Sequence, residues 1–129
     1  MNIKELRIGN YVTSNEYENF KVEGVSISLD GRWNQIFFYI NGWVKTERIK
    51  NLKPIPLTNK WLIDFGFIKY MDGNFVINNE TLSITKEKKT DIYYACFDNI
   101  IIRKIENVNE LQNLYFFITQ KELTLKQLF

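Results

Sequence analysis

Hydrophobic and polar positions alternate through most of the first half of the chain, with the period of two that belongs to strands. In FKVEGVSISL (20–29) the apolar positions are Phe20 and Val22, then Val25, Ile27 and Leu29. The parity changes across Gly24, which predicts a bulge there. Asp30-Gly31 and Asn41-Gly42 are hairpin signals that bracket WNQIFFYI (33–40), a run rich in aromatic and β-branched residues. WVKTERI (43–49) sets Trp43, Lys45, Glu47 and Ile49 on one face and Val44, Thr46 and Arg48 on the other. With RIGNYVTS (7–14) before them, these runs predict a set of short antiparallel strands joined by tight turns. A small SH3-like barrel or a strongly curled sheet is the compact form such strands adopt.

The pattern is interrupted by KPIPLTNKWLIDFGF (53–67). Pro54 and Pro56 cannot donate to a ladder, so they end the sheet or run along its edge. Thr58 is a good N-cap, and Leu57 before it can staple onto Leu62. Trp61, Leu62 and Phe65 share a face, and Gly66 supplies the left-handed residue that stops a helix. A short helix over 58–65 follows.

Beyond it the strand period returns. FIKYM (67–71) and FVINN (75–79) flank Asp72-Gly73; LSITKEKK (82–89), DIYYACF (91–97) and NIIIRKI (99–105) come next. Ile100–Ile102 shows no alternation, which predicts burial on both faces. A longer helix is expected over about 108–119. Asn107 and Glu110 suit a capping box, and Leu111, Leu114, Tyr115 and Ile118 form an apolar stripe. The tail, ELTLKQLF, suits a last strand or a helical turn. The expected class is α+β, mainly antiparallel strands, with an SH3-like barrel-type N-terminal half, a short central helix and a longer C-terminal one. It reads as a single compact domain over 1–129, with subdomains 1–57 and 58–129.

Composition narrows the class. A chain of 129 residues can bury roughly two thirds of its unfolded surface, enough to fold without metal or disulfide. Its 45% hydrophobic content excludes a disordered chain. The net charge of +2 is spread evenly, which argues against a dedicated nucleic-acid binder but leaves room for a local basic face. A single cysteine, Cys96, allows no disulfide within the chain and suits a reducing compartment. The N-terminus has no apolar core of a signal peptide and no run is long enough to span a membrane. A cytoplasmic protein is expected.

The absences are informative about chemistry. There is no histidine, the commonest general base and metal ligand, and too few cysteines for a thiolate zinc site. Neither a Ser/His nor a Cys/His nucleophile can be assembled, and no phosphate-cradling glycine pattern occurs. Paired carboxylates could still do acid–base work, as in glycosidases, from among Asp30, Glu47, Asp64, Glu80, Asp91 and Asp98. None is marked out: Asp30, Asp72 and Asp98 suit turns, and Glu47 reads as a solvated charge among Lys45, Arg48 and Lys50. The expectation is a protein that is not an enzyme and needs no cofactor or metal.

Two features invite a binding role. Arg32 and Trp33 sit beside a hairpin tip, with Trp43, Lys45 and Arg48 on a nearby strand; aromatics interleaved with basic residues can stack on bases and hold phosphates. The simpler reading is that the tryptophans fill the barrel and the charges are its wet face. The second feature is KEKK, where Lys86, Lys88 and Lys89 form a basic tip suited to nucleic acid or an acidic partner, or simply to water.

Three segments, ELRIGNYV, KPIPLTNKWLIDFGF and VNELQNLYFFITQKELTL, resemble in their order and spacing a set of small phage- and prophage-encoded proteins of Bacteroidetes bacteria. Those read as an RIGN-V opening, a PIPLT–WL–FGF centre and a helix beginning LQNLYF, with a glycine before the closing Glu-Leu; Gln120 stands in that place here. The resemblance spans most of the chain. It implies an accessory product acting in a bacterial host cytoplasm, and carries no activity of its own. By analogy with anti-CRISPR proteins and other defence inhibitors, its expected partner is a host or phage protein, including a nucleoprotein effector complex. A small nucleic-acid-binding barrel is the alternative.

Overall fold

A computed structural model describes residues 5–77 and 82–126. The fold is α+β, mostly antiparallel strands in three sheets with one short and one longer helix. The chain divides into two compact units, Met1–Ile55 and Pro56–Phe129. The break falls between Ile55 and Pro56, at the second of the two prolines.

In the first unit, β1 (Tyr11–Val12) pairs with β2 (Phe20–Lys21), and β3 (Gly24–Ser26), β4 (Gln35–Ile40) and β5 (Trp43–Arg48) form a separate sheet in that order. The RIGN segment before β1 is a turn. Gly9 has a φ of 97°, which glycine adopts without strain, and the fully buried Asn10 accepts the Arg7 amide on its side-chain oxygen at 2.6 Å. The strand expected over 20–29 is broken rather than bulged at Gly24: β2 serves one sheet and β3 the other. Gly24 pairs with Phe37, and a Cβ on it would stand 3.2 Å from that ring. The pairings make two open sheets, and a closed SH3-like barrel does not emerge from them.

The core of this unit is built from Val12, Phe20, Val22, Ile36, Phe38, Ile49 and Leu52. Phe20 stacks on Phe38 at 4.0 Å between centroids, and Tyr17 meets Phe38 edge-on at 5.0 Å. Such pairs contribute about 0.5–1.5 kcal/mol each beyond the area they bury. Asn41 and Gly42, with φ of 50° and 81°, close β4 on β5 in a two-residue hairpin, as their sequence predicts.

In the second unit, α1 (Asn59–Phe65) has both ends specified. Thr58 Oγ1 accepts the Trp61 amide at 3.3 Å, and Gly66 takes a φ of 103°. Leu62 and Phe65 are buried. The sheet runs β10 (Ile100–Ile105), β9 (Tyr93–Phe97), β8 (Leu82–Lys86), β7 (Asn74–Val76), β6 (Ile68–Lys69), every neighbour antiparallel. α2 (Val108–Thr119) buries Val108, Leu111, Gln112 and Tyr115. Asn107 bonds Glu110 side chain to side chain at 2.9 Å rather than closing a capping box. The helix stops at Gln120, itself left-handed with a φ of 61°.

The triple isoleucine corrects the sequence reading. Ile100, Ile101 and Ile102 are exposed, not buried on both faces. Their strand is the sheet's edge, and among the described residues nothing pairs beyond it. The expected strand 75–79 and the tail 122–129 lie partly outside the described residues.

Candidate functional site

The β4–β5 register decides which side chains share a face. Directly opposed residues of an antiparallel pair point the same way, and neighbours along a strand point oppositely. Ile36 opposes Glu47, Phe38 opposes Lys45 and Ile40 opposes Trp43 on the pleat whose Ile36, Phe38 and Glu47 are buried, while Lys45 and Trp43 at its outer end are exposed. Gln35 opposes Arg48, Phe37 opposes Thr46 and Tyr39 opposes Val44 on the other side.

That second side mixes apolar Phe37, Tyr39 and Val44 with polar Gln35, Thr46 and Arg48, and among the described residues nothing covers its Tyr39–Val44 end. Tyr39 and Val44, a directly opposed pair, are each 59% exposed. At the far end of the same face the Trp33 ring lies under the Arg48 guanidinium, whose carbon is 4.3 Å from the ring centroid. Phe37 bridges the two ends, its ring held over Gly24. A tryptophan–arginine stack with a tyrosine on the same face has the three residue types enriched among the side chains that carry most interface binding energy.

The loop carrying Trp33 is ordered by its own polar groups. Asp30 Oδ1 accepts from the Arg32 amide and from Ser28 Oγ, both at 3.0 Å, and Ser28 Oγ accepts the Trp33 amide at 3.1 Å. The Arg32 amide, then the Ser28 hydroxyl, hold the Asp30 carboxyl below its ordinary range. Ser28 also donates its amide to Asn34 Oδ1 at 3.1 Å. Residues 27–34 are therefore a structured loop, longer than the tight Asp30-Gly31 hairpin the sequence predicts. Arg32 points its Nε to Asp30 at 3.6 Å.

The basic, tryptophan-bearing cluster expected from sequence is thus divided. Trp33 and Arg48 meet; Trp43 and Lys45 lie on the opposite pleat, and Arg32 is turned back on its own loop. Trp43 is exposed rather than filling a core. The other candidates belong to the second unit. Lys86 pairs with Asp91 at 3.2 Å and approaches the Tyr93 ring at 5.8 Å, while Lys88 and Lys89 are exposed at the turn that follows.

Glu47 is a further correction. It is 9% exposed, not a solvated charge. Its Oε1 accepts the Arg48 amide at 3.0 Å and the Asn51 side-chain amide at 3.1 Å. The pleat that carries it faces the core, and the turn Ile49–Asn51 folds back to satisfy it. The remaining carboxylates have local engagements: Asp64 with Lys60 at 2.6 Å, Asp91 with Lys86, and Asp98 in a turn with a φ of 50°. Glu80 lies outside the described residues. Among the described residues no group of three or more His, Cys, Asp or Glu is placed to hold a metal ion.

The second unit contains a cleft of about 600 Å³ whose lining includes Thr58, Lys60, Lys86, Tyr93 and Lys104. Its lysines do not converge as free cations. Lys60 pairs with Asp64, Lys86 with Asp91, and Lys104 with Glu106 at 3.3 Å. Tyr93 donates its hydroxyl to Asn59 Oδ1 at 2.6 Å, and burial pushes its phenol up from the ordinary value of 10.0.

No protein-family model, curated protein or solved structure matches the chain. No helix among the described residues is long and apolar enough to cross a membrane. Phe37, Tyr39 and Val44 were not among the candidates drawn from sequence. The signal was present: QIFFYI is apolar on both parities, although only one face of that strand meets the core.

Proposed function

We propose that this is a non-enzymatic binding module, an accessory product of a phage or prophage, that acts by occupying a surface of a host protein. The observation that carries the binding role is the uncovered face of the first unit: the Trp33–Arg48 stack, Phe37, and the exposed Tyr39–Val44 pair. A face that mixes apolar side chains with a charged, hydrogen-bonding arginine suits a protein surface of mixed character, with an acidic group opposite Arg48. Phage origin and an anti-CRISPR type of target rest on the resemblance of the three sequence segments.

Nucleic acid is the second reading. Its support is Trp33 and Arg48 alone, because Trp43 and Lys45 alternate away from them. The test is capture from a bacterial lysate with and without nuclease, comparing the wild type with a Tyr39→Ser/Val44→Ser variant. A protein retained after nuclease, at one-to-one stoichiometry and lost with the variant, supports the proposal. Recovery of nucleic acid by wild type and variant alike supports the second reading.

A further inference from the structure

β5 closes one side of the first unit's three-stranded sheet, and among the described residues no strand lies beyond it. Across a two-residue hairpin the flanking residues, here Ile40 and Trp43, exchange backbone hydrogen bonds, and bonded and non-bonded pairs alternate from there. Trp43, Lys45 and Glu47 therefore direct their N–H and C=O groups to β4. The Ile49 amide, donated to the Asn34 carbonyl at 3.0 Å, continues the same alternation. Val44, Thr46 and Arg48 turn theirs outward. The Arg48 amide is taken by Glu47 Oε1 at 3.0 Å. Val44 and Thr46 are exposed, and the β4–β5 register runs without a bulge that would twist their outward groups away. An edge of this kind is a template for a further strand.

Charge decides which strand it suits. Among the described residues Lys45, Arg48 and Lys50 have no carboxylate within ion-pair distance, whereas Arg103 and Lys104 on the edge strand β10 are held by Glu110 and Glu106. The one carboxylate on this stretch, Glu47, is buried and bonded to the Arg48 amide and the Asn51 side chain. We infer that β5 takes up an acidic, extended segment of the protein on which the first unit docks, added to the sheet as a fourth strand. The inference rests on the docking reading above and names its mode and the partner's chemistry. Directly opposed residues share a face, so apolar side chains of the segment stand opposite Val44 and Thr46 and continue the row of Tyr39 and Val44. Its carboxylates stand opposite Lys45 and Arg48. A nucleic acid answers the cations but not the outward backbone groups of Val44 and Thr46. A second copy on this edge brings two sets of the same cations together, which is unfavourable.

The probe is the capped peptide Glu-Thr-Val-Glu-Val-Thr, whose glutamates in antiparallel register oppose Arg48 and Lys45 and whose valines oppose Thr46 and Val44. Amide hydrogen exchange of the full chain, followed by NMR with and without the peptide, reads the edge directly. The Val44 and Thr46 amides should slow by about tenfold, the factor one net hydrogen bond confers. The peptide with lysine in place of glutamate should bind about tenfold more weakly or worse. Thr46→Pro removes an outward N–H and nothing from the β4–β5 ladder, a change an edge strand tolerates, and should weaken the peptide by about tenfold with unchanged circular dichroism. Lys45→Glu, at an exposed site, keeps every backbone group and should reverse the preference between the two peptides. Exchange at Val44 and Thr46 unchanged by the glutamate peptide, equal binding of both peptides, tighter binding of oligothymidylate, or protection that grows with the concentration of the free chain overturns the inference. Lysate capture separates its failure from that of the docking reading. A protein held equally by wild type and Thr46→Pro, but lost from Tyr39→Ser/Val44→Ser, overturns the edge and leaves the face; no protein held by wild type overturns the docking reading itself.

Discussion

The guanidinium carbon of Arg48 lies 4.3 Å from the Trp33 ring centroid, joining a loop residue to the edge strand β5 on the solvent side of the sheet. The stack orients both side chains before any partner arrives, which lowers the entropy lost on binding. At an exposed site it contributes about 0.5–1 kcal/mol to the fold. Arg48→Ala should therefore shift thermal unfolding only slightly yet reduce partner capture strongly. Arg48→Lys, which keeps the charge and loses the planar stack, should capture poorly as well. Capture retained by Arg48→Lys would mean that charge alone matters.

Glu47 behaves as part of the fold. Replacing it with alanine leaves the Arg48 amide and the Asn51 side chain without their acceptor, which should cost about 1–3 kcal/mol in denaturant unfolding. Glu47→Gln keeps one acceptor oxygen and should cost less. Equal losses for both substitutions would show that the negative charge, not the hydrogen bonds, holds the turn Ile49–Asn51.

Gln120 occupies a left-handed backbone at the end of α2, with its amide bonded to the Phe116 carbonyl at 2.8 Å. Glycine takes that conformation without a Cβ clash, as at Gly66. Gln120→Gly should raise stability by about 0.5–1 kcal/mol, the relief of left-handed strain less the added freedom of the unfolded chain. A decrease would mean that the bond from Gln120 Nε2 to the Phe117 carbonyl, 3.1 Å long, outweighs the strain.

Tyr93 links the cleft to alkaline pH. Its phenol is raised by burial, then offset in part by Lys86 and raised again by Asp91. A raised folded-state value means that the folded chain holds this proton more tightly than the unfolded one. The contribution is complete below the ordinary value of 10.0 and is lost as pH climbs through the folded value. Urea midpoints should fall above about pH 10, and less steeply in Tyr93→Phe. An identical alkaline slope in that variant would assign the loss to other groups, among them Tyr17, which burial also raises.

Legibility followed the locality of the cause. The caps of α1 at Thr58 and Gly66, the Asn41-Gly42 hairpin and the bounds of α2 depend on residues within one or two turns, and the chain displays them openly. The RIGN segment proved to be a turn that buries Asn10, a role its neighbours in sequence set. What depends on sheet order was not readable. Ile100–Ile102 looks the same in sequence whether its strand is central or at an edge, and Glu47 looks solvated until its opposition to Ile36 is known. The same ignorance of register merged Trp43 and Lys45 with Trp33 and Arg48.

The central claim is that the outward face of β4 and β5 docks a protein, and one comparison tests it most directly. Tagged wild type, the Tyr39→Ser/Val44→Ser variant and an exposed control in the second unit, Ile63→Ser, are passed through nuclease-treated bacterial lysate at equal concentration. A stoichiometric protein held by wild type and Ile63→Ser, and lost from the double variant, is the predicted outcome. Capture that is the same in all three, or recovery of nucleic acid alone from untreated lysate, would contradict it.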